Sequence, residues 1–216
     1  MKDNNKVFFR LACLLLLIVI AVVFFRMQQT EKKEGSERTI LSANREAALS
    51  VIHNRKSVRN FIPDKPVSEE DIQKIVRAGM AAPSGRDLRP WEILVINDRE
   101  ALDSLTVALP YAKMLETSPL AIVVCGDTTR SSLWTFDCSA VTQNILLAVE
   151  ALGLGAVWTA AYPYEDRMNA VMKNTGLPAH ILPLAVIPVG YPNGDFEPKD
   201  KYDEAKVHYN KWRKAE

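Results

Sequence analysis

The stretch RKSVRNF, residues 55–61, places three cationic side chains within five positions and puts a serine between them. An arginine guanidinium can donate two parallel hydrogen bonds to a phosphate, and a serine hydroxyl can add a short donor. In an extended backbone, Arg55, Ser57 and Arg59 would point to the same side. The pattern therefore indicates either a binding site for an anion or, as the alternative, a solvated helix end without a ligand.

The composition excludes several classes of function. The 216 residues are 48% hydrophobic and carry a formal net charge of +1, which gives no basic surface for nucleic acid. This length can bury one good core rather than two. Cys13, Cys125 and Cys138 have neither metal-ligand spacing nor a disulfide pattern. Because Cys125 lies in the apolar run LAIVVCG, we expect it to be a buried, inert thiol.

The N-terminal segment differs from the rest of the chain. Residues 11–25 carry no charge, and basic residues flank them on both sides. This run fits a signal-peptide core or, when residues 7–9 extend it, an anchor close to the ~20 residues that span a bilayer. No cleavage site of small residues follows, which favours an uncleaved anchor over residues 1–27. We expect a polar linker over residues 28–39, followed by a domain over residues 40–216 that lies outside the cytoplasm.

Apolar spacing predicts alternating helices and strands after the linker. Between Ser68 and Pro83 the pattern is helical, since Ser68 can cap the helix and Pro83 would end it. The apolar stripe of that helix would be Ile72, Ile75, Val76 and Met80. The other predicted elements are helices over residues 41–55, 99–109, 132–153 and 164–176, and strands over residues 91–97, 119–127, 155–161 and 182–192. This order indicates an α/β (α+β) fold, a three-layer sandwich with helices on both faces of a central mixed sheet.

Four motifs occur in the order and at the spacing of a known family. They are an Arg-x-Ser-x-Arg core, a PVS helix start, an APSG turn, and a Pro-Trp pair that opens the first strand. The match continues through QNILLAVEALGLGAVW and PVGYP. Residues 50–212 thus resemble the nitroreductase family of FMN-dependent flavoproteins, which is related to the iodotyrosine deiodinases. The resemblance implies a homodimer with two flavins at its interface.

The resemblance also implies the residues of the flavin site. Arg55 and Ser57 would hold the phosphate and the ribityl chain. Arg59 would lie by the N1–O2 edge of the isoalloxazine ring, where a cation raises the reduction potential. Lys199 and Lys201 match a pair of phosphate-binding cations that family members carry near the C-terminus. The APSG turn, lent by the partner subunit, and the VWTAA stretch would lie against the ring. The remaining implied flavin contacts are Lys56, Pro83, Ser84, Gly85, Trp158, Thr159 and Ala160.

The C-terminal tail over residues 191–216 is polar and charged, but it also carries Tyr202, Tyr209 and Trp212. Aromatic side chains gain free energy when another surface buries them. We therefore expect the tail to dock on something, and the resemblance makes the partner subunit the expected surface.

Two departures from the family pattern concern the choice of substrate. Asp87 and Arg89 stand where family members often carry Asn and Gln. A carboxylate beside the ring would oppose the negative charge of the reduced flavin, unless Arg89 pairs with it or both side chains face solvent. Only about two dozen residues follow Trp91 before the run SPLAIVVCG. Iodotyrosine deiodinases have a longer insertion there, which forms a substrate lid, so the resemblance favours deiodination less.

The resemblance implies an oxidoreductase that moves hydride from NAD(P)H through flavin N5 to a nitroaromatic, a quinone or a similar small acceptor. Such a transfer needs positioned rings rather than a side-chain acid or base, so we predict no catalytic residue and no metal site. His53, His180 and His208 are scattered, and we expect surface or capping roles for them. One alternative is a membrane-tethered flavin-binding protein without NAD(P)H activity. Another is a deiodinase or flavin-modifying member of the same family.

Overall fold

The computed structural model describes residues 24–27, 29, 33 and 39–212. Most of the predicted anchor over residues 1–27 lies outside these described residues, so the anchor stays a prediction. Among the described residues, no helix combines the length and the apolar character needed to span a bilayer.

The chain divides into two compact units, residues 1–50 and residues 51–216. Residues 39–54, which we call α1, are helical and include this boundary. The sequence predicted a polar linker over residues 28–39 and a domain from residue 40, but every described residue of that linker is helical. Gln, Glu and Lys are good helix formers, which is why a charged segment need not be an irregular tether.

One sheet runs through the second unit. Its strands are β1 (Trp91–Ile96), β2 (Leu120–Asp127), β3 (Gly155–Ala156), β4 (Thr159–Ala160) and β5 (Ile181–Gly190). β5 pairs with β2, β3 and β4, and β2 also pairs with β1. All four of these pairings are antiparallel. The parallel component of the predicted mixed sheet is therefore limited, among the described residues, to an isolated bridge between Ser57 and Ala156.

Helices cover both faces of the sheet. They are α2 (Glu69–Met80), α3 (Arg99–Ala108), α4 (Trp134–Ala151) and α5 (Glu165–Thr175). Along β2, Ile122 and Val124 pack in the core cluster with α2 and α4. The intervening Val123 and Cys125 pack in the cluster with α3 and α5, because successive side chains of a strand point to opposite faces. The predicted three-layer sandwich is confirmed.

The apolar stripe of α2 differs from the prediction in its last turn. The predicted cap is present, since the Ser68 hydroxyl oxygen accepts a hydrogen bond from the Asp71 N–H at 3.1 Å. Met80, however, is 48% exposed, and Gly79 is buried instead. A side chain at Gly79 would begin 2.8 Å from Ile145 of α4. The close approach of the two helices at Gly79 thus replaces the contact expected from Met80.

The single strand predicted over residues 155–161 is two short strands, β3 and β4, interrupted at Val157 and Trp158. Both pair with β5, which lies between β2 and these short strands even though it contains Pro183 and Pro188. Proline cannot donate a hydrogen bond to a neighbouring strand and is found at edges and bulges. The register between β2 and β5 shifts at Pro183, and Pro188 lies outside the β5 residues that pair with β3 and β4.

Candidate functional site

A cleft of about 730 Å³ brings together two parts of the second unit that are distant in sequence. Arg55 lines it directly after α1, and Lys199 and Lys201 line it from the C-terminal segment. Asp200 contributes a carboxylate, and the other lining residues are Ile52, His53, Asn54, Pro198 and Tyr202. Three cations against one carboxylate leave an excess of positive charge. Such a cleft is suited to a phosphate dianion.

The segment that carries Arg55 is fixed to β3. The Val58 N–H donates to the carbonyl oxygen of Ala156 at 2.9 Å, and the Val58 side chain is buried. Gly155 permits this approach, since a side chain there would begin 2.7 Å from Val58. Ser57, which bridges Ala156, is half-buried. The core contacts of Val58 therefore set the position of its neighbours in the Arg-x-Ser-x-Arg motif.

Arg55, Ser57 and Arg59 were predicted to point to one side of an extended backbone, and this arrangement can apply only to Ser57 and Arg59. The Arg55 N–H donates to the Val51 carbonyl oxygen at 3.1 Å, so Arg55 still belongs to the last turn of α1. The extended backbone begins after it. Ser57 and Arg59 flank the buried Val58, and Arg59 is exposed and does not line the cleft. Arg55 reaches the cleft from a helix end rather than from a strand.

Lys56 pairs with α4. Its Nζ lies 2.9 Å from Oε1 of Glu150 and 3.5 Å from the carbonyl oxygen of Asn54. The Lys56 and Glu150 side chains keep only 25% and 15% of their surface exposed. Lys56 was predicted to contact the flavin through its backbone or its side chain, and that contact stays a prediction; its ammonium group pairs with Glu150. The ion pair connects the Arg55 segment to the longest described helix.

The predicted APSG turn is anchored by a residue that the sequence analysis missed. Asp137 is buried in the first turn of α4, and its Oδ1 accepts a hydrogen bond from the Gly85 N–H at 2.9 Å. Its Oδ2 lies 3.5 Å from the Ser131 hydroxyl. Ser84 and Gly85 are half-buried, whereas Pro83 is exposed. An acid in the first turn of α4 was the available signal for this contact.

The loop after Gly85 has an unusual backbone. Arg86, Asp87 and Arg89 have φ angles of 54°, 56° and 47°, in a region that disfavours residues other than glycine. Arg89 donates to both carboxylate oxygens of Asp87, at 2.7 and 2.6 Å. This hydrogen bonding lowers the pKa of Asp87. Asp87 and Arg89 therefore pair with each other, and both are exposed.

The predicted VWTAA contacts lie at β4. The Thr159 hydroxyl donates to the Val186 carbonyl oxygen at 2.5 Å, and Arg167 donates to the carbonyl oxygen of Ala160 at 3.1 Å. The Arg167 guanidinium lies between the rings of Tyr111 and Tyr164, at 4.2 and 3.9 Å from their centres. Both ends of β4 are thus held in place.

Of the twelve residues predicted to contact the cofactor, Arg55, Lys199 and Lys201 line the cleft. Trp158 is half-buried and packs against the core cluster of α2 and α4. Thr159 and Ala160 border a separate, much smaller cavity. A single chain therefore assembles the cationic part of the predicted site. The segments expected to face the isoalloxazine ring lie elsewhere on the same chain.

Neither described cysteine offers a nucleophile. Cys125 and Cys138 are both fully buried, and the Cys138 thiol donates to the Cys125 carbonyl oxygen at 3.2 Å. Burial raises the pKa of each thiol to about 12, with smaller contributions from Glu92 at Cys125 and from Cys125 and Asp137 at Cys138. The expectation that Cys125 is an inert core thiol is confirmed.

Comparison with known proteins gives the same family along most of the second unit. Residues 52–191 match the sequence profile of the Nitroreductase family. A protein of Methanothermobacter thermautotrophicus, provisionally named NADH dehydrogenase/NAD(P)H nitroreductase, is 42% identical over 167 residues, which are 76% of this chain and 87% of that protein. The crystal structure of a protein of the same provisional name from Bacteroides thetaiotaomicron is 61% identical, covers 77% of this chain and 98% of that one, and superposes with a TM-score of 0.75. An FMN-dependent nitroreductase from Clostridium difficile is 27% identical, covers 76% of this chain and 99% of that one, and superposes with a TM-score of 0.72. The chain belongs to the nitroreductase family.

Proposed function

We propose that this protein is an FMN-dependent oxidoreductase that moves hydride from NAD(P)H to a small electron acceptor such as a nitroaromatic or a quinone. The cleft lined by Arg55, Lys199 and Lys201 is the observation that carries the proposal, because it offers three cations to one phosphate group. When bound, the flavin would supply the hydride-accepting N5 atom, and the protein would supply binding and electrostatics. The names of the relatives, which include an NAD(P)H nitroreductase and an FMN-dependent nitroreductase, support the same cofactor and donor.

The residues present suit FMN. Arg55 with Lys199 and Lys201 would bind the phosphate, and the hydroxyl of Ser57 would bind the phosphate or the ribityl chain. Arg59, which is exposed beside Ser57, would stabilise the charge that reduction places at the N1–O2 edge. Arg89 neutralises the Asp87 carboxylate, so this carboxylate would do little to oppose the charge of the reduced flavin.

We propose that the protein works as a homodimer in which the C-terminal tail docks on the partner subunit. Tyr202, Tyr209 and Trp212 are 75%, 72% and 79% exposed on the single chain. Aromatic side chains of this size are enriched where protein surfaces meet. A dimer would also bring the Pro83–Gly85 turn of one subunit to the cofactor of the other, as the resemblance implies.

The proposed function is tested by the absorption spectrum of the purified full-length protein and by its anaerobic reduction. We expect a flavin spectrum that bleaches with NADH or NADPH and returns when a quinone or a nitroaromatic is added. A protein that binds no flavin would overturn the proposal. A bound flavin that dithionite reduces, and that neither nicotinamide reduces, would favour a flavin-binding protein without NAD(P)H activity.

We also propose that residues 1–27 anchor the protein and that the domain lies outside the cytoplasm. The uncharged run of residues 11–25 supports the anchor. The test is membrane fractionation of the full-length chain beside a variant that lacks residues 1–34, followed by protease treatment of intact cells. We expect only the full-length chain in the membrane fraction and cleavage of its domain from outside. Release of the full-length chain by an alkaline wash would overturn the anchor, and protection from protease would overturn the orientation.

A further inference from the structure

His53 lies on the wall of the cleft that holds Arg55, Lys199 and Lys201. From the sequence we expected only a surface or capping role for it. Its side chain is exposed and makes no hydrogen bond or ion pair within the part of the chain that the structure describes. The imidazole is therefore available to a ligand in the cleft.

We propose that His53 is a fourth phosphate-binding residue of this cleft and that it binds the dianion as an imidazolium. This inference rests on the proposed function and deepens it, because the ligand is the phosphate monoester of the flavin. An imidazolium can donate a charge-assisted hydrogen bond from either ring nitrogen. A neutral imidazole offers one donor and no charge. The protonated form therefore suits the phosphate better.

The charges around His53 couple its protonation to anion binding. Arg55, Lys199 and Lys201 are cationic, Asp200 is anionic, and Tyr202 contributes a phenol. A dianion bound among these groups would favour a positive charge on the imidazole. Phosphate binding should therefore be accompanied by proton uptake.

These charges predict a specific pH dependence. Histidine is the side chain that normally takes up a proton between about pH 8 and pH 5. A phosphate monoester takes up its second proton near pH ~6, so it remains largely dianionic at pH 6.5 and above. Between pH 8 and pH 6.5 the phosphate therefore largely keeps its charge, and a pH dependence of FMN affinity that disappears with His53 would report on this residue. FMN affinity should rise in this interval, and riboflavin affinity should not.

The experiment measures FMN and riboflavin dissociation constants of the full-length protein, after removal of its bound flavin, at pH 8 and pH 6.5. Calorimetry in two buffers of different ionisation enthalpy gives the number of protons taken up on binding. His53→Gln keeps a hydrogen-bond donor but cannot become charged. His180→Gln is the matched control, because His180 is also exposed and does not line the cleft.

We expect the FMN dissociation constant of the parent and of His180→Gln to fall roughly five- to tenfold from pH 8 to pH 6.5. The change for His53→Gln should stay within about twofold, with proton uptake reduced by the same substitution. Riboflavin affinity should be alike in all three proteins. An unchanged pH dependence and unchanged proton uptake in His53→Gln would overturn the assignment.

Failure of the proposed function can be told apart from failure of this inference. Sulfate is a dianion throughout this pH range, so thermal stabilisation by sulfate, at an ionic strength matched with sodium chloride, is a second probe of the cleft. Without flavin binding, a sulfate effect that grows toward pH 6.5 and disappears in His53→Gln supports the anion site and overturns the flavin proposal. Without any such sulfate effect, the assignment of His53 is wrong as well.

Discussion

The side-chain carboxylate of Asp137 accepts a hydrogen bond from the backbone N–H of Gly85 at 2.9 Å. The carboxylate belongs to the first turn of α4, and the N–H belongs to the turn that follows α2. Because Asp137 is only 6% exposed, water competes little for this bond. A buried charged acceptor therefore fixes the turn at Gly85, next to the loop that carries Asp87 and Arg89.

Asp137→Ala should destabilise the protein. The substitution removes the acceptor of the half-buried Gly85 N–H, and a hydrogen bond to a charged group contributes about 1.5–3 kcal/mol. Asp137→Asn retains an acceptor oxygen and should lose less of the free energy of unfolding. Urea unfolding measures both, with Asp195→Ala at an exposed position of the C-terminal segment as the control. Equal stability of Asp137→Ala and the control would show that this bond is not needed.

Arg55→Ala and Arg59→Ala should affect FMN differently. Arg55 lines the cationic cleft, and the loss of one charge-assisted contact of about 1.5–3 kcal/mol should weaken FMN binding roughly ten- to a hundredfold. Arg59 lies outside the cleft, so its loss should lower the reduction potential of the bound flavin and change FMN affinity less. Dissociation constants and midpoint potentials of the two variants measure this. If the two variants behave alike, the division of roles between the arginines is wrong.

Two lysine–glutamate pairs of nearly equal length should differ in their contribution to stability. Lys56 and Glu150 are 2.9 Å apart and largely buried, whereas Lys74 and Glu70 are 2.8 Å apart and more than half of their combined side-chain surface is exposed. Glu150→Gln should lower the free energy of unfolding by about 1–2 kcal/mol, and Glu70→Gln should have a much smaller effect because solvent screens the exposed pair. Denaturant unfolding at low and high salt measures both. Similar losses would mean that burial does not strengthen the Lys56 pair.

The buried thiols predict a loss of stability in alkaline solution. The pKa of Cys125 and of Cys138 is about 12 in the folded protein, above the ordinary value of 9.0 that applies in the unfolded chain. Because the folded value is raised, the contribution is complete below pH 9 and is lost as the pH rises toward 12. Each thiol should lower the free energy of unfolding by about 1.4 kcal/mol per pH unit in this window. The double variant Cys125→Ala/Cys138→Ala should show a flatter pH dependence in urea unfolding between pH 8 and pH 10.5. An equally steep loss in the double variant would contradict this origin.

Removal of the chain from Glu197 onward should weaken both the dimer and FMN retention. The truncation removes Lys199 and Lys201 from the cleft, together with the exposed rings of the tail. Sedimentation velocity and the flavin content of the purified protein measure the two effects. A double substitution of Lys199 and Lys201 by Gln is the control that separates them, since it should lower flavin content and leave the dimer intact. A truncated protein that keeps both properties would show that the tail has neither role.

The elements of the fold could be predicted because burial on one face leaves a periodic trace in the sequence, as Ile72 and Ile75 show for α2. The exposure of Met80 could not be predicted in this way, because the contact at the end of α2 depends on how closely Ile145 approaches Gly79. That distance is a property of two packed helices and has no local pattern. Periodicity indicates which face is buried, and the depth of packing depends on the partner.

The cationic cleft was predictable only in part for the same reason. The motif around Arg55 has a recognisable spacing, and the family resemblance predicts Lys199 and Lys201 as phosphate-binding residues. Asp137 and His53 belong to no comparable motif, since Asp137 is an acid at a helix start and His53 is a histidine near a helix end. Their contacts join segments far apart in sequence, so only the folded chain shows that Asp137 meets Gly85 and that His53 shares a cleft with Lys199.

Among the described strands, β5 is the last to be synthesised, and yet it pairs with β2, β3 and β4. Until residues 181–190 are outside the ribosome, β2 keeps an unpaired edge, and apolar strand edges of incomplete chains promote aggregation. Of the described strands, only β1 and β2 pair with each other without β5. We therefore expect a nascent chain that lacks β5 to be prone to aggregation, and the ten residues Ile181–Gly190 to complete the sheet.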